Sequence, residues 1–389
     1  MLLSKRVRSL SPSLTIAIST KAKELKANGK DVLNFSTGEP DFDTPESLKD
    51  AVKKALDKGC GKYTPVSGTN DVLKAIATKF KRDNNLEYST DQIITNVGAK
   101  HSLFNIIQAI IDDGDEVIFA SPYWVTYPEL VNYSGGKSMI IKTSRENDFK
   151  ITAEAFKKAI TKKTKAIILN SPSNPCGSVY SKKEYEELAK VLENTDIIVL
   201  SDEIYEKLTF DKEFVSFASV SKDAFKRTIT INGLSKCGAI TGWRFGYTAC
   251  VIDDINNAIK KLQSQSTSNI SSIVQAGAIP SLLGQSDKDI KFMHDEYIKR
   301  RDYAVEAINK IEGLKVLKPD GAFYLFVNCE AIEKDSIKFC EKLLEKALVA
   351  VVPGIGFGQD GYFRFSFATD LETIKKGIDR IENFVKNYK

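Results

Sequence analysis

The feature that most restricts this chain is an alternation of two kinds of segment. Short, almost continuously apolar, β-branched runs occupy 92–97, 116–120, 137–141, 165–170, 197–202, 228–232 and 244–250. Helical patterns at 100–111, 153–160 and 182–192 lie between them. Strand, helix and strand at this spacing predict an α/β fold with a mostly parallel sheet flanked by helices, and runs apolar on both sides predict strands in the middle of that sheet. From about residue 288 the pattern changes to a long charged helix (289–311), a strand (321–327), a helix (337–346), two strands (347–352 and 363–367) and a closing helix (372–388). The expectation is a large domain over 44–287 built on a mostly parallel seven-stranded sheet, plus a smaller α+β domain over 288–389. The opening segment, 1–43, is expected to pack with the smaller domain, because a lone helix and a short strand cannot bury themselves.

Composition narrows the function classes. With 389 residues, 42% of them hydrophobic, and only 11 prolines and 23 glycines, the chain can bury a full core over two or three domains and is not a disordered or low-complexity scaffold. A net charge of +5 spread over so large a surface gives no reason to expect nucleic acid or membrane as a partner. The six cysteines include no CxxC pair, so a disulfide framework and a zinc knuckle are not expected and a reducing cytoplasm fits. Two histidines, His101 and His294, leave little for metal or Ser-His-Asp chemistry, and no metal is expected. The basic N-terminus has no apolar stretch for a secretory signal, and the apolar-leaning run 347–358 is too short to span a membrane and is broken by Pro353.

Ligands in open parallel sheets bind beyond the carboxyl ends of the strands, so the residues after each run are the candidates. Gly98-Ala99-Lys100 opens a helix whose N-terminal amides suit a phosphate. Asn174 sits in the proline-bounded turn 171–175, Asp202 and Tyr205 follow the fifth run, and Ser235-Lys236 then Arg244 follow the sixth. Taken singly, Lys236 would be a solvated lysine, Asp202 a helix cap and the Gly98 loop an ordinary turn. Together they supply an amine, an acid, a phenol, an amide and a phosphate cradle, which is the set that pyridoxal 5′-phosphate requires.

The stretches that carry these residues are GEPDFDTP (38–45), KYTPVSG (62–68), VGAKHSLFN (97–105), SPYWVTYPE (121–129), NSPSNPCG (170–177), SDEIYE (201–206), GLSKCGAITGWRFGY (233–247), GAFY (321–324) and FRFSFAT (363–369). In this order the chain resembles the fold-type I pyridoxal-phosphate aminotransferases of the aspartate aminotransferase class, and more narrowly the bacterial subgroup active on aspartate and, in some members, prephenate. The resemblance implies Lys236 as the Schiff-base lysine and proton carrier, Asp202 on the pyridine nitrogen, Tyr205 and Asn174 on the ring oxygen, and Trp124 on the ring face. It also implies Gly98, Ala99, Lys100, Ser235 and Arg244 at the phosphate, with Tyr63 arriving there from a second subunit of a homodimer. Arg364 would clamp the substrate α-carboxylate, Gly38 would close over it, and Lys100 with Thr15 would meet a distal carboxylate.

Three departures stand out. Phe245 replaces a small aliphatic residue and puts local packing in question, Cys176 replaces a threonine, and Ser11 stands where prephenate-using relatives have lysine. The last favours aspartate and 2-oxoglutarate as the substrate pair over prephenate or a broad aromatic or alanine range. A C–S lyase using the same cofactor remains a rival, since shared contacts do not choose the reaction. A non-catalytic effector-binding module is disfavoured by the complete lysine, aspartate and arginine set and by the lack of a DNA-binding extension. Gly354–Gly358 imitates a dinucleotide loop but leads into a strand, so it is discounted.

Overall fold

The computed structural model describes residues 2–12 and 14–388, and of residues 14–16 the backbone only. After two helices, Lys5–Arg8 and Leu14–Ala27, comes the two-residue strand Leu33–Asn34 (β1). Seven strands then form one sheet: Ile93–Val97 (β2), Glu116–Ser121 (β3), Lys137–Lys142 (β4), Thr164–Asn170 (β5), Ile198–Asp202 (β6), Thr228–Gly233 (β7) and Phe245–Ala249 (β8). Their order across the sheet is β2-β8-β7-β6-β5-β3-β4. All pairings are parallel except those of β8, which runs antiparallel to both β2 and β7. Each predicted run forms a strand, and the expectation of a mostly parallel α/β sheet holds.

The details differ for physical reasons. β4 is an edge strand with exposed and half-buried positions, so its apolar run does not mark the sheet's middle. Arg244 falls outside β8, because its backbone is left-handed (φ 61°) and cannot continue a strand. Residues 347–352 do not form one strand. Val349–Ala350 (β10) pairs in parallel with β1, while Val352–Pro353 (β11) joins Tyr362–Ser366 (β12) and Tyr324–Asn328 (β9) in a three-stranded sheet. The β1–β10 pairing ties the opening segment to the C-terminal part of the chain. Gly321 lies ahead of β9 and bridges to Thr209 instead.

Four helices are amphipathic or buried for legible reasons. Asn70–Asn84 is capped by Thr69, Lys182–Leu192 by a Ser181/Glu184 capping box, and Leu371–Lys386 by Asp370. The Ala99–Ile110 helix starts at Gly98, whose backbone has φ 78°. Around the sheet, Ile94, Leu103, Ile106, Ile107, Val117 and Phe119 are buried in one core, while Phe323, Leu325, Phe363 and Phe365 anchor a second beneath the three-stranded sheet. Phe245 is fully buried on β8 in contact with the Tyr247 ring region, so the larger side chain is simply absorbed by the core. Among the described residues no helix is long and apolar enough to cross a membrane.

Candidate active site

The carboxyl ends of β2, β5, β6 and β7 open onto one cavity of about 650 Å³. Its walls include Ala99, Lys100, Trp124, Asn174, Asp202, Tyr205, Ser235, Lys236 and Arg244 from the large sheet's side. Gly38 from the opening segment and Arg364 from β12 also line it. Residues far apart in sequence are thus brought together, with Lys236 and Asp202 facing the same space.

Asp202 ends β6 and is 4% exposed. Tyr127 donates its hydroxyl proton to Asp202 Oδ2 (2.6 Å), and the Ile204 amide reaches Oδ1 (3.4 Å). Burial nevertheless pushes the carboxyl up to about 6, against the smaller opposing pull of the Tyr127 bond. Lys236 follows β7, and its ammonium donates to the Gly38 carbonyl (2.5 Å) while lying 5.8 Å from the Tyr205 and Phe323 ring centres. Its pKa falls to about 8, chiefly through burial and then through the charge of Arg364. Such an amine is partly neutral near physiological pH and so able to act as a nucleophile or base.

Arg364 is 3% exposed and holds three groups in place around it. Nη1 donates to Asn174 Oδ1 (3.0 Å) and Nη2 to the Ser36 carbonyl (2.8 Å), with the Tyr324 ring 4.3 Å from the guanidinium carbon. Its Nε has no hydrogen-bond partner, and among the described residues no carboxylate pairs with it. A buried guanidinium held only by neutral oxygens is a site for an anion, and its planar fork suits a carboxylate. Asn174 gives its carboxamide oxygen to Arg364, so its NH₂ is what it offers a ligand.

Opposite this end, the helix that begins at Ala99 directs its first amides into the cavity wall, with Ser235 and Arg244 beside them. Arg244 Nη1 donates to the Thr241 carbonyl (2.7 Å), and a Cβ at position 98 would lie 2.5 Å from Arg244 Nη2, so only glycine lets the guanidinium lie there. Lys100 stacks 4.9 Å above Trp124, and burial lowers its pKa. These groups fit pyridoxal 5′-phosphate: an amine, a buried acid without a cationic hydrogen-bond partner, a flat indole wall and a donor-rich cradle.

Two expected site residues are not tested by this cavity, Tyr63 being expected there only from a second subunit. Tyr63 is 90% exposed and does not line it, and the side chain of Thr15 lies outside the described residues. Ser11 does line it, its amide donating to Glu129 (2.7 Å). Cys176 is buried among Phe149, Phe326 and Phe357. The discounted glycine run forms a short 3₁₀ turn, Gly354–Phe357, and contributes Ile355 and Gly356 to the wall. Sequence reasoning missed Tyr127, Asn170, Glu39 and Tyr324. Asn170 spans the turn, donating to the Asp202 carbonyl (3.0 Å) and accepting from the Asn174 amide (2.9 Å). Tyr127 follows Trp124 by one turn and Tyr324 shares its hydroxyl with Tyr205 (2.9 Å), but neither spacing marks such a role before the fold is known.

Known proteins are similar to this chain over its whole length. Residues 30–381 match the family described as "Aminotransferase class I and II". The "Aspartate aminotransferase" of Bacillus subtilis (strain 168) is 46% identical over 394 residues, covering 100% of both chains. The "Probable aspartate/prephenate aminotransferase" of Aquifex aeolicus (strain VF5) is 44% identical over 385 residues, covering 98% of each. The solved aspartate aminotransferase from Rhizobium meliloti superposes with a TM-score of 0.96 at 39% identity over 100% of both chains. A buried, partly neutral lysine and an unpaired buried arginine in one cavity, on a chain alike from end to end, lead to one conclusion: this chain belongs to the class I and II aminotransferase family.

Proposed function

We propose that the protein is a pyridoxal-phosphate-dependent aspartate aminotransferase, converting L-aspartate and 2-oxoglutarate to oxaloacetate and L-glutamate. The observation that carries this reading is Arg364, a buried guanidinium with an unpartnered Nε in the same cavity as Lys236. Bound in the cavity, pyridoxal 5′-phosphate supplies an aldehyde for the amino group and an electron-withdrawing ring. Gly98, Ala99, Lys100, Ser235 and Arg244 would hold its phosphate, Trp124 its ring face, and Asn174 and Tyr205 its ring oxygen. Asp202 is suited to a cationic ring nitrogen, because a neighbouring positive charge offsets the burial that raises its pKa. Arg364 orients the substrate through its α-carboxylate, which brings the α-carbon within reach of the Lys236 amine. Lys236 can then take the proton from that carbon and return it.

Lys100, which lines the cavity with its charge over Trp124, would receive the distal carboxylate, which favours dicarboxylic substrates. Thr15 would assist it. We read the protein as a homodimer in which Tyr63 of one subunit serves the phosphate site of the other, since an exposed tyrosine has no such work in its own chain. Six unpaired thiols suit a reducing compartment, and the cytoplasm is our assignment.

The test is direct. Incubated with pyridoxal 5′-phosphate, the protein should turn yellow, and borohydride or Lys236→Ala should abolish the visible band. Steady-state rates with aspartate, glutamate, prephenate, aromatic amino acids and alanine should place aspartate with 2-oxoglutarate first. A higher kcat/KM for prephenate would overturn the substrate assignment, and pyruvate release from a β-substituted amino acid without 2-oxoglutarate would replace the reaction with an elimination.

A further inference from the structure

Residues 36–44 have no regular secondary structure, yet they are tethered on two fronts. On the cavity side the Ser36 carbonyl accepts from Arg364 (2.8 Å), the Gly38 carbonyl from Lys236 (2.5 Å) and the Glu39 carboxylate from Thr241 (2.8 Å). On the other side the strap meets the long helix Asp287–Asn309. There Arg300 donates to Asp41 Oδ1 (2.8 Å), and its guanidinium lies 4.8 Å above the Phe42 ring. Tyr297 meets the same ring edge-on at 5.4 Å. Arg300 is 7% exposed and does not line the cavity.

The strap leaves little slack. A Cβ at Gly38 would lie 2.8 Å from the Tyr324 hydroxyl and 3.9 Å from Arg364 Nη2, so the backbone rests directly on the carboxylate site. Asn34 holds the upstream end, accepting from the Ser36 amide and hydroxyl (3.0 and 2.7 Å) and donating to Thr37 Oγ1 (3.3 Å). Without the pin at Asp41 and Phe42, the stretch 38–40 would keep only its cavity-side bonds, and the Lys236 bond is given up whenever that amine reacts. The pin, buried at Arg300 and open to solvent at Asp41, is held by charge, hydrogen bond and ring stacking together, so no single weak contact carries it.

Resting on the aminotransferase reading, we propose that Arg300 is a positioning residue for the substrate α-carboxylate, acting through Asp41 and Phe42 to fix the strap on which Arg364 depends. It touches neither substrate nor cofactor. Its loss would let the backbone at Gly38, which rests against the Tyr324 hydroxyl and Arg364 Nη2, drift on the carboxylate site, and a misplacement of about 1 Å at a binding group costs up to about 100-fold.

The experiment compares wild type, Arg300→Met, Arg300→Lys and Asp41→Asn. Succinate, a dicarboxylate with no amino group to transfer, is titrated calorimetrically into the cofactor-free chain, and KM and kcat are measured on the loaded enzyme. Arg300→Met should weaken succinate binding and raise KM for aspartate, each by about tenfold, with kcat changed no more than about twofold. Asp41→Asn should move the same quantities in the same direction, covering the case in which Arg300→Met does not fold. Arg300→Lys, which keeps the charge but not the planar stacking, should fall between. Unchanged succinate affinity in both Arg300→Met and Asp41→Asn overturns the proposal, as does a loss confined to kcat or a wild type that does not bind succinate. Wild type that binds succinate and loses it in the variants, but transfers no amino group, would leave the positioning role standing and remove the aminotransferase reading instead.

Discussion

Asp202 is where the site's chemistry and the fold's stability pull against each other. Its carboxyl is buried and pushed from 3.8 up to about 6, so the folded cofactor-free chain holds a proton there that the unfolded chain has released across that interval. The stability this gives is fully present below pH 3.8 and is lost as pH rises through about 6, leaving an ionised buried group at pH 8. Asp202→Asn keeps an acceptor oxygen for Tyr127 and carries no charge. We expect it to raise the unfolding free energy of the cofactor-free chain at pH 8 by about 1–3 kcal/mol, a gain that vanishes below pH 4. The same variant should slow transamination severely. Denaturant melts at the two pH values check the first statement, and an Asn variant less stable than wild type at pH 8 would contradict it. Asp202 itself was legible in the sequence, as an acid ending an apolar run. Tyr127 and the Arg364 contact with Asn174 were not, because they join residues 75 and 190 positions apart.

At the scale of elements, the turn after β6 sorts its residues by face. Asp202 and Tyr205 line the cavity, while Glu203 and Glu206 are buried behind it, the first bonded to Ser201 and Ser216 (2.8 and 2.7 Å) and the second to Lys79 and Asn84. A buried acid at 203, pushed up to about 7 by desolvation, is a polar anchor that no run of hydrophobic residues announces. The end of the cavity proposed for the phosphate depends on how closely β8 approaches the start of the Ala99–Ile110 helix. A Cβ at Gly246 would stand 2.3 Å from the Ala99 amide nitrogen and 2.4 Å from the Gly98 carbonyl carbon, backbone that cannot move without shifting the helix N-terminus. Gly246→Ala should therefore weaken affinity for pyridoxal 5′-phosphate by about tenfold or more and destabilise the fold by about 1–3 kcal/mol. Gly242→Ala, where nothing lies within 4 Å, is the matched control and should do neither. Fluorescence titration with the cofactor decides it, and equal affinities in the two variants would contradict the packing argument.

For the whole molecule, the question is how many copies make a site. Tyr63 stands 90% exposed on this chain and outside its own cavity, so in a monomer Tyr63→Phe should change nothing. In a homodimer with shared phosphate sites it should weaken cofactor affinity by about three- to tenfold while leaving the melting of the cofactor-free protein unchanged. Sedimentation together with a cofactor titration tests both halves, and a dimer with wild-type affinity would remove Tyr63 from the site. What the sequence determined by itself is local and periodic: seven strand-forming runs, the helices between them, and the turn residues that follow each strand, because these depend on side chains a few positions apart. It also displayed Gly98, Asn174, Asp202 and Lys236, since each follows or ends a strand in a recognisable stretch. What only the tertiary structure decided is which of those ends face one another, that β4 is an edge and β8 runs antiparallel, and that Arg364 is buried against Ser36 and Asn174 with an N–H left over. Those outcomes follow from burial and hydrogen bonding between distant segments, and such pairings exist only once the chain has closed on itself.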